Sequence, residues 1–107
     1  MSEHTHAFPA GFWSFPDPPN TTAITTVHVL EGLKPVLLVT HDADDGTWQM
    51  ICGTTNDPPD GRVVCLGCMV SKDATLVEVA DLPLGWVAWR DEVGGPWGRE
   101  LSPPIVM

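Results

Sequence analysis

At 107 residues the chain has the length of one domain and is too short for two, and 43% hydrophobic with 18% charged residues describes a globular protein, not a disordered one. Fourteen acidic against five basic residues leave a formal charge of −9, which repels phosphate backbones and anionic membrane surfaces and argues against both as partners. Eleven prolines and ten glycines divide the chain into short elements and exclude long helices.

Residues 1–20 hold three phenylalanines, Trp13 and the prolines Pro9, Pro16, Pro18 and Pro19, a mixture too aromatic for a free linker and too proline-rich for regular structure. It is expected to form an extended arm that packs its aromatics, because burial of each large apolar side chain is worth about 1.5 to 3 kcal/mol. A single α+β domain over residues 21–107 is expected to follow.

From Thr21 the chain becomes β-branched and apolar. Thr25 or Thr26 can cap a short helix over residues 27–31, with Gly32 placed to end it, and a short strand fits the same stretch. Pro35 then opens Val36, Leu37, Leu38 and Val39, an apolar run of strand length expected at the centre of a sheet and buried on both faces. Asp42, Ala43, Asp44, Asp45 and Gly46 form a turn cluster. Beyond it Trp48, Met50 and Cys52 alternate with Thr47, Gln49 and Ile51, so residues 36–41 and 47–52 read as a β-hairpin.

Residues 53–61 form a polar loop in which Pro58 and Pro59 interrupt any ladder of hydrogen bonds. Residues 62–66 fit a third strand that leads into a helical turn through Val70. Asp73 offers an N-cap to residues 74–80, where Leu76, Val77 and Ala80 would share one helical face. The Leu-Pro-Leu-Gly run at residues 82–85 stops that helix. Residues 86–90 form another strand, residues 93–96 a turn and residues 97–101 a last strand. The expected fold is thus α+β, a small and mostly antiparallel sheet with one or two short helices.

The chemistry-bearing residues do not form a recognisable catalytic set. Cys65 and Cys68, spaced C-x-x-C, can be combined with Cys52 and His41 into a four-ligand zinc site, but such a site usually shows two close ligand pairs, and Cys52 and His41 lie eleven residues apart. A redox role for Cys65 and Cys68 calls for a thiolate-stabilising environment, Lys72 is a basic side chain close in sequence, and no thioredoxin-like order of strand and helix surrounds the pair. Asp42, Asp44 and Asp45 invite a calcium-loop reading, yet Gly46 comes one position early for an EF-hand and Gly53 stands where the bidentate glutamate belongs. A reverse turn explains the same residues. No nucleophile-elbow glycines frame Ser14, Ser71 or Ser102. The expectation is therefore a chain more naturally noncatalytic than enzymatic, with no cofactor.

Trp86 and Trp89 are three apart, so on a strand they point to opposite faces. Either the arm covers the second face, or Trp89 joins Arg90, Trp97 and Arg99 in an exposed recognition patch, since Trp and Arg are enriched among interface hot spots. With no basic start followed by an apolar run at the N-terminus and no stretch of the roughly 18 to 20 apolar residues that a membrane span needs, a cytoplasmic location is expected. Three cysteines suit that reducing compartment.

The run of residues 41–53, together with Asp73-Ala74-Thr75-Leu76 and residues 81–90, resembles small bacterial proteins. It is also distantly similar to a domain-of-unknown-function family assigned to immunity proteins of polymorphic toxin systems. That family shows an acidic hairpin turn before a Trp, a glycine after the next strand and a late Pro-x-Gly before an aromatic and an arginine, and the similarity spans residues 23–90. The resemblance implies an immunity-like, toxin-binding role. Joined to the charge, it leads to the expectation of a noncatalytic protein-binding domain that meets a basic partner through acidic loops at residues 42–45 and 57–60, with Asp42, Asp44, Asp45, Trp89, Arg90 and Trp97 as partner-binding residues. The alternatives are a small metal protein or enzyme using Cys52, Cys65, Cys68 and His41, and a homodimer whose arms pack across subunits.

Overall fold

The computed structural model describes Phe8, residues 11–52 and residues 61–101. Their elements are β1 (Thr22–Thr26), α1 (Val27–Leu30), β2 (Leu38–His41), β3 (Trp48–Ile51), β4 (Gly61–Cys65), α2 (Leu66–Lys72), a 3-10 helix (Ala74–Val79), β5 (Trp86–Trp89) and β6 (Gly98–Leu101). The six strands form one sheet in the order β4-β1-β3-β2-β5-β6. Every neighbouring pair is antiparallel except β1 with β3. The fold is α+β.

Local chemistry accounts for the short elements. Thr26 stays extended and its hydroxyl accepts from the Val29 N–H, so the same threonine ends β1 and caps α1. Of the two readings of residues 27–31 the helical one is realised, and the strand lies just before it. The expected hairpin of β2 and β3 is present, with His41 opposite Trp48 and Leu38 opposite Ile51. The residues after Asp73 form a 3-10 helix, not the α-helix expected. At three residues per turn the inward positions become Leu76 and Val79, both fully buried, while Val77 turns partly outward.

Among the described residues, the helical segments cover one face of the sheet and none lies on the other, more open face, where Ile51 is nonetheless buried. Ala23, Thr25, Trp48, Met50, Val39 and Ala88 point to the covered face and join Leu66, Met69, Val70, Leu76 and Val79 from the helical segments in a single core. The opposite face carries Ile24, Val63, Gln49, Ile51, Leu38, Thr40, Val87 and Trp89, with Val63 at 71% exposure. This corrects the expectation that β2 is buried on both faces: Val39 is sealed, whereas Leu38 and Thr40 on the other side are only half-buried.

The arm also packs on the covered side. Phe15 meets Trp48 edge to face at 5.1 Å between centroids, and Trp13 and Phe8 extend the aromatic stack outward from it. Asp17 locks the arrangement, accepting from the Trp48 indole N–H through its carboxylate at 3.0 Å and from the Trp13 indole through its carbonyl at 2.8 Å. The aromatics 8, 12, 13 and 15 therefore complete the core layer, so the described residues of the arm pack on the helical side of the sheet and not over the second face.

Candidate functional site

The turn joining β2 to β3 is held by a compact set of hydrogen bonds. The Asp42 N–H donates to the Thr47 carbonyl and the Gly46 N–H to the Asp42 carbonyl, both at 2.9 Å. Gly46 has φ near +75°, a conformation that costs any residue with a Cβ about 1 to 2 kcal/mol. Asp45 accepts from the Thr47 N–H at 3.0 Å, and Asp42 accepts from Gln49 Nε2 at 3.0 Å. Asp44 and Asp45 are exposed, Asp42 half-buried. The hydrogen bonds from Thr47 hold the Asp45 carboxyl below the usual aspartate range, so it stays charged into acid.

Two leucines flank this acidic turn. The loop before β5 folds against it, with the Gly85 N–H donating to the His41 carbonyl at 2.6 Å. A Cβ placed on Gly85 would lie 3.5 Å from the Ala43 Cβ and 3.9 Å from Leu101, and one on Gly46 would lie 3.9 Å from Leu84. Leu84 and Leu101 are 55% and 63% exposed. The β2–β3 turn, the loop before β5 and the end of β6 thus lie side by side, with exposed Leu84 next to Gly46 and exposed Leu101 next to Gly85. Neither leucine stands out in the sequence; the one local sign is the Pro83-Leu84-Gly85 turn, which lifts a large apolar side chain to its tip.

The Trp and Arg residues expected to act together are separated by the sheet. Trp89 lies on the open face, 41% exposed, its indole laid over Gly98 of β6. Arg90 points the other way, and its side chain is fully buried. Its Nε and Nη2 both donate to the Val36 carbonyl, at 3.1 and 3.0 Å, Nη1 donates to Thr75 Oγ1 at 2.8 Å, and Nη2 pairs with Asp73 at 2.6 Å. The half-buried Trp97 ring stacks over this guanidinium at 4.3 Å and donates its own N–H to Glu78. Arg90 and Trp97 therefore hold the 3-10 helix to the sheet, and a partner has no access to the Arg90 guanidinium. Arg99 pairs with Asp81 at 2.7 Å. Asp57 and Asp60, the second acidic loop, lie outside the described residues.

The four residues of the metal alternative do not converge. His41 is buried on β2, stacked on Trp48 at 3.8 Å, with Nδ1 donating to the Leu82 carbonyl at 2.8 Å. Cys65 ends β4, three strand positions from His41 in the sheet order, a separation of about 14 Å at the usual strand spacing. Cys52 is buried beyond the end of β3. Among the described residues, no three His, Cys, Asp or Glu side chains come close enough to hold a metal ion. A cleft of about 430 Å³ beside α1 and α2 is lined by Val29, Pro35, Val36, Met69, Lys34, Lys72 and their neighbours, with no histidine, cysteine or serine in its wall. Among the described residues no helix is long and apolar enough to cross a membrane. No protein-family model, curated protein or solved structure matches the chain.

Proposed function

We propose that this chain is a noncatalytic protein-binding domain of the bacterial cytoplasm, immunity-like in role, that recognises a basic partner through the β2–β3 turn. The observation that carries the reading is that the turn bearing Asp44 and Asp45 lies beside the segments bearing exposed Leu84 and Leu101. Leucines supply apolar area that a partner can desolvate, and the adjoining carboxylates select a cationic rim around it. The overall charge of −9 acts in the same direction by speeding encounter with a basic protein. The resemblance of residues 41–53 and 81–90 to immunity proteins supports the same class of role. Trp89 offers a second contact on the open face of the sheet.

Affinity capture from host lysate tests this, comparing the wild-type protein with Asp44→Lys and with Leu84→Ser. A partner of basic composition should be retained by the wild type, lost from both variants, and released as salt rises. Capture of the same proteins by all three, or of none by any, would overturn the assignment.

A further inference from the structure

We propose that Cys65 and Cys68 form a reversible dithiol–disulfide site that exchanges two electrons with a low-molecular-weight or protein disulfide. Cys65 is the last residue of β4 and caps α2, with an extended backbone at φ −110° and ψ 156°. In that position its sulfur accepts from the Cys68 N–H at 3.2 Å, which turns the Cys65 side chain toward Cys68. The two sulfurs lie 2.7 Å apart. They need approach by only roughly 0.7 Å to reach a disulfide bond length. The backbone between them is already closed into the first turn of α2, so little chain entropy remains to be lost on oxidation.

Access and chemistry agree with the geometry. Both cysteines are half-buried, and among the described residues β4 is an edge strand bonded to β1 on one side. Cys52 is buried at 2% exposure and is excluded from such exchange. Burial and the contact with Cys65 push the Cys68 thiol up, which favours its protonated form. The Cys65 sulfur, on losing its proton, attacks one sulfur of a disulfide R–S–S–R and expels one thiolate, which takes up that proton. Cys68 then gives up its proton and displaces the second thiolate from the mixed disulfide. In sum, two hydrogens and two electrons pass to the partner, which leaves as two thiols, and one Cys65–Cys68 bond forms.

The spacing of basic residues makes the test direct. Trypsin cuts after Arg62 and Lys72, so the peptide of residues 63–72 carries Cys65 and Cys68 while Cys52 falls on another. Full-length protein is equilibrated with mixtures of glutathione and glutathione disulfide, quenched in acid, alkylated and digested. In excess disulfide, alkylation of peptide 63–72 should fall at least tenfold and the peptide should become lighter by two hydrogens, with full recovery under dithiothreitol. Cys52→Ser should close equally well, and Cys68→Ser should stop with one glutathione on Cys65. The proposal is overturned if the wild-type peptide stays doubly alkylated in every mixture, if glutathione remains on it without closure, or if the bond found joins Cys52. Should Cys68→Ser fail to fold, the mass of the wild-type peptide decides alone.

Discussion

Replacing Arg90 with alanine would remove a group that ties the end of β5 to three other parts of the chain: the Val36 carbonyl before β2, Asp73 and Thr75 at the start of the 3-10 helix, and the Trp97 ring. The guanidinium is fully buried and its Asp73 partner is 17% exposed, so the loss leaves a carboxylate and a carbonyl largely cut off from water. Removing one member of a buried ion pair costs about 3 to 5 kcal/mol, a large share of the roughly 5 to 15 kcal/mol that holds a domain together. With a urea m-value of about 1.5 kcal/mol/M the midpoint should fall by roughly 2 to 3 M. Arg90→Met separates the causes, because it keeps an apolar stem beneath Trp97 and loses only the charge and the donors; most of the destabilisation should persist. A double-mutant cycle with Asp73→Asn should then give a coupling of at least about 1 kcal/mol, as expected for residues in contact. A loss below about 1 kcal/mol for Arg90→Ala, or strict additivity with Asp73→Asn, would refute the argument that this buried pair ties the 3-10 helix to the sheet.

Other outcomes follow from particular contacts. A Cβ on Gly98 would stand 2.6 Å from the Trp89 indole, so Gly98→Ala should swing that ring off β6 into water; the Trp89 indole N–H signal in NMR should move toward the free-indole position, and an unshifted signal would disprove the contact. Asp45 and Asp81 are both held below the usual aspartate value, the first by Thr47 hydrogen bonds and the second by Arg99. A carboxyl lowered on folding stabilises the fold above its unfolded value of about 3.9 and loses that contribution as pH falls through the folded value. NMR titration should therefore place both midpoints below about 3.9; Arg99→Gln should raise that of Asp81, and Thr47→Val, which removes the hydroxyl but keeps the backbone N–H, should raise that of Asp45 only in part, so an Asp81 midpoint unmoved by the loss of Arg99 would contradict its assigned cause.

Much of the architecture was legible because its causes are local. The hairpin turn follows from Gly46, which alone in its cluster adopts a left-handed backbone cheaply, and its faces follow from strict alternation of Trp48, Met50 and Cys52 with their neighbours. The caps at Thr26 and Asp73 likewise follow from side chains that satisfy amides two or three residues ahead. Trp86 and Trp89 fall on opposite faces for the same alternating geometry.

What composition and pattern could not reach depends on groups far apart in the chain. Nothing local states that β1 lies parallel to β3, that the described helices all pack on the same face of the sheet, or that Asp17 closes the arm onto Trp48. Arg90 illustrates the limit most clearly. Its type and neighbours resemble an interface hot spot, but its carbonyl and carboxylate partners lie 54 and 17 residues away, and only the folded chain brings them around it. The approach of the segments bearing Leu84 and Leu101 to the turn bearing Asp44 and the pairing of Cys65 with Cys68 belong to the same class of fact. Residue types determined which groups were able to do chemistry or bind, and tertiary packing decided which of them meet, because burial and hydrogen bonding depend on distance in space and not on separation along the chain.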